Sequence, residues 1–219
     1  MNARENILGR IRKATGGVGI AEMEGRLCNH PRGPLPAMTW DPIERFKERA
    51  LSLSSTVDEV AREQVSAAVA RYLASQNLPR SGRFDKLRTG ICWPELEGLD
   101  WKKQGLSMAS RAASNRGDDL VGVTGAFCAI AETGTLMMLS GAETPAATSL
   151  LPETHIAVVP LDRIVKCMEE AWDLLRKEQG RLPRAVNFVS GPSRTADIEQ
   201  TVTLGAHGPY RVHVILVKS

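Results

Sequence analysis

The chain has 219 residues, 42% hydrophobic and 24% charged, which is ordinary for a globular protein with a continuous core and argues against disorder of the whole chain. A net charge of +3, spread without any Lys/Arg block, disfavours a nucleic-acid binder. The four cysteines, Cys28, Cys92, Cys128 and Cys167, form no C-x-x-C pair, and neither a charged-then-apolar leader nor a membrane-length apolar run is present. No metal or cofactor site is therefore encoded locally, and a cytoplasmic protein with reduced thiols is expected.

Residues 1–39 read as an N-terminal arm and connector. RENILGRIRK (residues 4–13) has helical spacing through Ile7, Leu8 and Ile11, and a Pro-rich stretch follows from Cys28 to Pro36. Cys28 and His30 lack a second ligand pair nearby. The main α/β domain is expected over residues 40–219. It begins with a helix capped by Asp41, with Pro42 in its first turn and Glu44 reaching back as in a capping box; Ile43, Phe46, Ala50 and Leu53 form the buried face. A strand over Ser55 to Val60 and a helix to about Ser75 follow. From Arg80 to Gly117 the pattern weakens, and Trp93 and Trp101 are expected to pin a long loop to the body.

Val121 to Leu139 is apolar almost throughout, with Glu132 as its single charge. A carboxylate buried in such a run must be paired, protonated or functional. Thr133-Gly134-Thr135 adds hydroxyls and a glycine that lets backbone approach a ligand. His155 to Val159 reads as the next strand, and Asp162 as the cap of a helix closed by Gly180. Ala185 to Val217 reads as strand, Gly-containing turn, helix, strand. In that reading Gly191, Ser193, Arg194 and Thr195 present amides, hydroxyls and a guanidinium to an anion at a helix start. Asp197 and Glu199 already place negative charge there and weigh against a strongly anionic ligand.

Alternating strands and helices in the second half predict an α/β fold with a mainly parallel sheet, whose ligands sit at the carboxyl ends of strands. Glu132, His155, the Gly191 to Thr195 turn and His207 are the polar positions near element ends; His213 and His30 are weaker candidates. Glu132 and His207 are the candidate catalytic groups, with Thr133, Gly134, Thr135, Gly191, Ser193, Arg194 and Thr195 as ligand-binding candidates. Such a set suits a small carboxylate or phosphate. Phosphate-loop, dinucleotide, nucleophile-elbow and zincin motifs are all absent.

AIAETGT (Ala129 to Thr135), SLLPETHIAVVP (Ser149 to Pro160) and GPSRTADIEQTVTLGAHGP (Gly191 to Pro209) closely resemble the lactate utilisation protein C family, single-domain members of the LUD group. The resemblance covers roughly residues 40–219. It implies a Rossmann-like sheet with helices on both faces, similar to the sugar isomerase and coenzyme A transferase superfamily. It also implies a bacterial cytoplasmic protein that acts with two iron–sulfur partner proteins in oxidising L-lactate to pyruvate. A non-catalytic assembly subunit is the alternative. A third reading takes Glu132-Thr133-Gly134 as the Glu-x-Gly of a coenzyme A transferase, with Glu132 as the acyl-accepting nucleophile.

Overall fold

The computed structural model describes residues 3–14, 16, 33–76, 89–113, 119–195, 203–205 and 207–218. It divides into two units, residues 1–38 and 39–219. In the first, helix α1 (Ala3–Ala14) carries Glu5 in its first turn and Arg12 and Lys13 in its last, the order the helix dipole favours. Cys28 and His30 lie outside the described residues.

The second unit opens with helix α2 (Pro42–Ser52). Asp41 caps it as expected, its Oδ1 accepting from the amides of Ile43 and Glu44, both at 2.9 Å. Glu44 closes no capping box; its carboxylate accepts from Lys47 Nζ at 2.9 Å. The lysine also reaches Glu59, at 2.5 Å, and so ties the helix to the first strand. Phe46 and Ala50 are the buried face of α2.

Strands β1 (Thr56–Ala61), β2 (Thr89–Cys92), β3 (Ser107–Ala109), β4 (Val121–Gly125), β7 (Thr154–Pro160) and β12 (Arg211–Lys218) build the main sheet. Its order is β1-β12-β7-β4-β2-β3, and every neighbour is parallel. Helix α3 (Val65–Ser75) covers one face through Val65, Val69 and Leu73, packed on Val121, Val123, Ile156 and Ile215. On the other face Phe46 and Ala50 of α2 meet Ala157, Val214 and Leu216. The short helix α4 (Ala147–Leu150) lies over β4, where Gly122 is needed because a Cβ there would sit 2.0 Å from the Thr148 carbonyl oxygen. Helices thus flank both faces of a mainly parallel sheet, the α/β class read from the sequence.

A second sheet contains β5 (Cys128–Ile130), β6 (Thr135–Leu139), β8 (Ile164–Val165) and β9 (Val186–Val189), in the order β8-β5-β6-β9. Ala129, Leu136 and Met138 face the main sheet, while Cys128, Ile130 and Met137 face helix α5 (Met168–Gln179). The apolar stretch from Val121 to Leu139 is therefore three strands serving two sheets, one of them buried on both faces.

Three readings are corrected. The run from Ala185 to Val217 is not a βαβ unit, because β9 pairs antiparallel with β6 while β12 joins the main sheet. Nor do Gly191 to Thr195 start a helix. Arg194–Thr195 is strand β10, paired antiparallel with β11 (Thr203–Leu204), and the span 196–202, with Asp197 and Glu199, lies outside the described residues. Gly-Pro-Ser serves a tight turn as readily as a helix start, and β-branched Thr195 fits a strand. Finally, Asp162 lies in a single 3₁₀ turn, Leu161–Arg163. Ile164 and Val165 then pair with Ala129 and Ile130, so α5 begins only at Met168, with Cys167 at its N-cap position. Gly180 closes α5 in the left-handed conformation, as read. The long loop expected from Arg80 contains β2 and β3, while Trp93 and Trp101 are buried as expected.

Candidate functional site

Of the predicted site residues, the Glu132 to Thr135 turn, Gly191 and Arg194 collect where the chain enters the strands, at the C-terminal end of α2. That end is a Schellman closure: Ser55 N–H donates to the Ala50 carbonyl and Ser54 N–H to the Leu51 carbonyl, both at 3.0 Å. The left-handed position, usually glycine, is Ser54 at φ 67°. Arg194 holds it in place, its Nη2 donating to the Leu53 carbonyl at 2.8 Å and to Ser54 Oγ at 2.6 Å. A guanidinium on the last carbonyls of a helix also complements the helix dipole.

Two predicted glycines pack on the same helix end. Gly134 has φ 66°, and a Cβ there would lie 2.6 Å from the Ala50 amide nitrogen; at Gly191, φ 83°, it would lie 2.4 Å from the Leu53 carbonyl oxygen. Hydroxyls link the two turns: Thr133 Oγ1 donates to Thr135 Oγ1 at 2.8 Å, and Thr135 Oγ1 is 2.8 Å from Ser190 Oγ. Thr135 accepts from Thr133 and shares a hydrogen bond with Ser190 in which either hydroxyl can donate.

Glu132 sits in the β5–β6 turn and is half-buried, not enclosed in a strand. Its amide donates to the Lys166 carbonyl at 2.9 Å. Among the described residues its carboxylate has no hydrogen-bond or ion-pair partner. Arg49, half-buried beside Gly134, has a buried Nε without a partner among the described residues. The sequence reading missed Arg49, because position 49 reads as one more polar residue of an amphipathic helix. The cluster therefore holds one carboxylate, two arginines and a line of hydroxyls.

The remaining candidates lie apart. Ser193 accepts from Gly205 N–H at 2.8 Å and donates its amide to the Pro209 carbonyl at 2.9 Å, fastening the return to β12. Thr195 belongs to the β10–β11 pair, and His207 is exposed with no hydrogen bond to the others. His155 is fully buried, bonded through Nε2 to Thr124 Oγ1 at 2.8 Å, and burial lowers its pKa to about 4. It is neutral at physiological pH and is not an acid–base group there. His213 is stacked on Tyr72 with ring centroids 4.0 Å apart, and burial likewise lowers it to about 4. Burial raises the thiols of Cys92 to about 11 and Cys128 to about 12, so both stay protonated and unreactive. Among the described residues no group of three or more His, Cys, Asp or Glu is placed to hold a metal ion.

At the opposite, carboxyl edge of the main sheet lies a cavity of about 530 Å³. It is lined from the ends of β1, β2, β4 and β7 by residues that include Arg62, Trp93, Glu95, Gly125 and Pro160. None of the predicted site residues lines it. The strand-end rule would have pointed to it had β2 been recognised as a strand, because Trp93 and Glu95 follow that strand directly.

The fold, the order of its strands and the turns around α2 can be compared with known proteins. The family model described as the LUD domain matches residues 43–217. The chain belongs to the LUD domain family. Lactate utilization protein C of Bacillus subtilis is 29% identical, aligned over 99% of this chain and 94% of its own length. A protein of the same name from Exiguobacterium is 39% identical over 55% of this chain and 53% of its own length. The crystal structure of a DUF162 family protein from Deinococcus radiodurans superposes with a TM-score of 0.56, covering 83% of this chain and 99% of that one. At 24% identity that likeness shows the fold. Within this LUD domain no described helix is long and apolar enough to cross a membrane.

Proposed function

We propose that this LUD domain protein is a lactate-utilisation subunit that binds a small carboxylate between Glu132, Arg49 and Arg194. One observation carries the reading: two turns far apart in sequence, Glu132 to Thr135 and Ser190 to Arg194, are fixed on one helix end. They bring Arg49, Arg194 and a line of hydroxyls to the helix end reached by the Glu132 turn, and among the described residues the Glu132 carboxylate has no partner. Arginine forks suit carboxylates, and hydroxyls such as Thr133 suit the 2-hydroxyl of lactate or the carbonyl of pyruvate. The names of the relatives support lactate utilisation as the setting. In this proposal the protein works in the bacterial cytoplasm with two iron–sulfur proteins in the oxidation of L-lactate to pyruvate. Gly134 and Gly191 serve by letting both turns approach α2; Ser193, Thr195 and His207 frame the return segment.

Titration calorimetry on the purified protein tests the pocket. L-lactate or pyruvate should bind, and Arg194→Ala should weaken binding at least tenfold. Failure of both acids to bind, or binding that Arg194→Ala leaves unchanged, would remove the assignment.

A further inference from the structure

The carboxyl-edge cavity is a second site, with chemistry unlike that of the first. A volume of about 530 Å³ lies in the ~300–1,000 Å³ range that encloses drug-sized molecules, and a three-carbon acid leaves most of it unfilled. Its walls are mainly apolar, with aromatic surface from Trp93 and Phe127 backed by Leu96, Leu139 and Val158. Four charged side chains reach it, and two of them cancel. Arg163 donates to both carboxylate oxygens of Glu178, at 2.6 and 2.9 Å, and through Nε to the Phe127 carbonyl at 2.9 Å.

Arg62 and Glu95 are the two left for a ligand. Arg62 follows the last residue of β1, is exposed, and its side chain makes no hydrogen bond or ion pair among the described residues. Glu95 follows β2 and lies across the end of β4. A Cβ on Gly125 would be 2.0 Å from its Oε1, so the glycine is what admits the carboxylate to this position. One cation, one hydrogen-bond acceptor and an aromatic-walled apolar chamber between them define the ligand's parts: an anion, N–H donors, and a flat apolar body.

We propose that this cavity binds a nucleotide-type molecule, a planar nitrogen heterocycle bearing a phosphate, with Glu95 accepting from N–H groups of the ring and Arg62 holding the phosphate. The site lies at the carboxyl edge of a parallel sheet, where such folds take their ligands. It shares no residue with the carboxylate cluster at the amino edge, so the two assignments stand or fall separately.

The test is calorimetric titration of the full chain with AMP, ADP and FMN, alongside adenosine, riboflavin and pyrophosphate. At least one phosphorylated compound should bind with micromolar affinity, with its phosphate-free form and pyrophosphate each at least tenfold weaker. Arg62→Ala should cost the phosphorylated compound tenfold or more and leave the phosphate-free form unchanged. Glu95→Gln should weaken both forms, and Gly125→Ala, which displaces Glu95, should do the same with little change in melting temperature. Absence of binding by all three nucleotides, or binding that neither Arg62→Ala nor Glu95→Gln alters, would overturn the proposal.

Discussion

Gly134, Gly191 and Gly180 share a left-handed backbone, with φ between 65° and 83°, but their surroundings differ. An alanine at Gly180 would meet nothing within 4 Å, so Gly180→Ala should cost only the conformational penalty of about 1–2 kcal/mol. Gly134→Ala and Gly191→Ala add a collision with the backbone of α2 and should cost distinctly more, which chemical denaturation of the three variants would resolve. At the same scale, the two buried histidines fix a pH dependence. Both titrate at about 4 in the folded protein against 6.5 ordinarily. Between those values the unfolded chain binds protons that the folded chain refuses. Stability is therefore unaffected above about pH 6.5 and falls as pH drops towards 4, by an amount on the order of a few kcal/mol. Melting temperatures measured from pH 4 to 8 should follow that slope, and His155→Gln should flatten it.

Among the elements, α2 is the support on which both site turns rest, and it was legible in the sequence down to its cap. Asp41→Ala should cost about 1 kcal/mol in denaturant unfolding, since two amides lose their acceptor. The long helices α2 and α3 and the strands β1, β7 and β12 announced themselves by period and by turn residues. The second sheet did not, except that β9 was read as a strand and given the wrong partner. Its strands are two to five residues long, and β8 and β9 take their partners from β5 and β6, tens of residues away. Tertiary pairing, not local propensity, decides such segments. For the same reason Arg194 reads as part of a helix start, and only the structure shows it reaching back to Leu53 and Ser54, 140 residues earlier. The composition of the candidate site was readable in Glu132 to Thr135 and Gly191 to Arg194. Its geometry was not, and neither was the arginine that α2 contributes.

For the whole molecule, one parallel sheet has a polar cluster at the edge where strands begin and an aromatic-walled cavity at the edge where they end. In the present account the first edge serves the carboxylate of lactate metabolism and the second a larger ring-bearing anion. An assembly subunit without its own chemistry would need Arg194 only to hold the end of α2 and neither arginine for a ligand. An acyl-accepting Glu132 would leave a covalent adduct at that residue on incubation with acyl donors, visible by mass spectrometry; the carboxylate-binding reading expects none. The most direct measurement is growth on L-lactate of a strain whose own copy is deleted and replaced by Glu132→Gln or Arg194→Ala variants, each checked for wild-type abundance and folding. If the pocket acts as proposed, both variants fail to restore growth on L-lactate while growth on glucose is normal. Full growth on L-lactate with both variants would contradict it and leave the protein an assembly subunit.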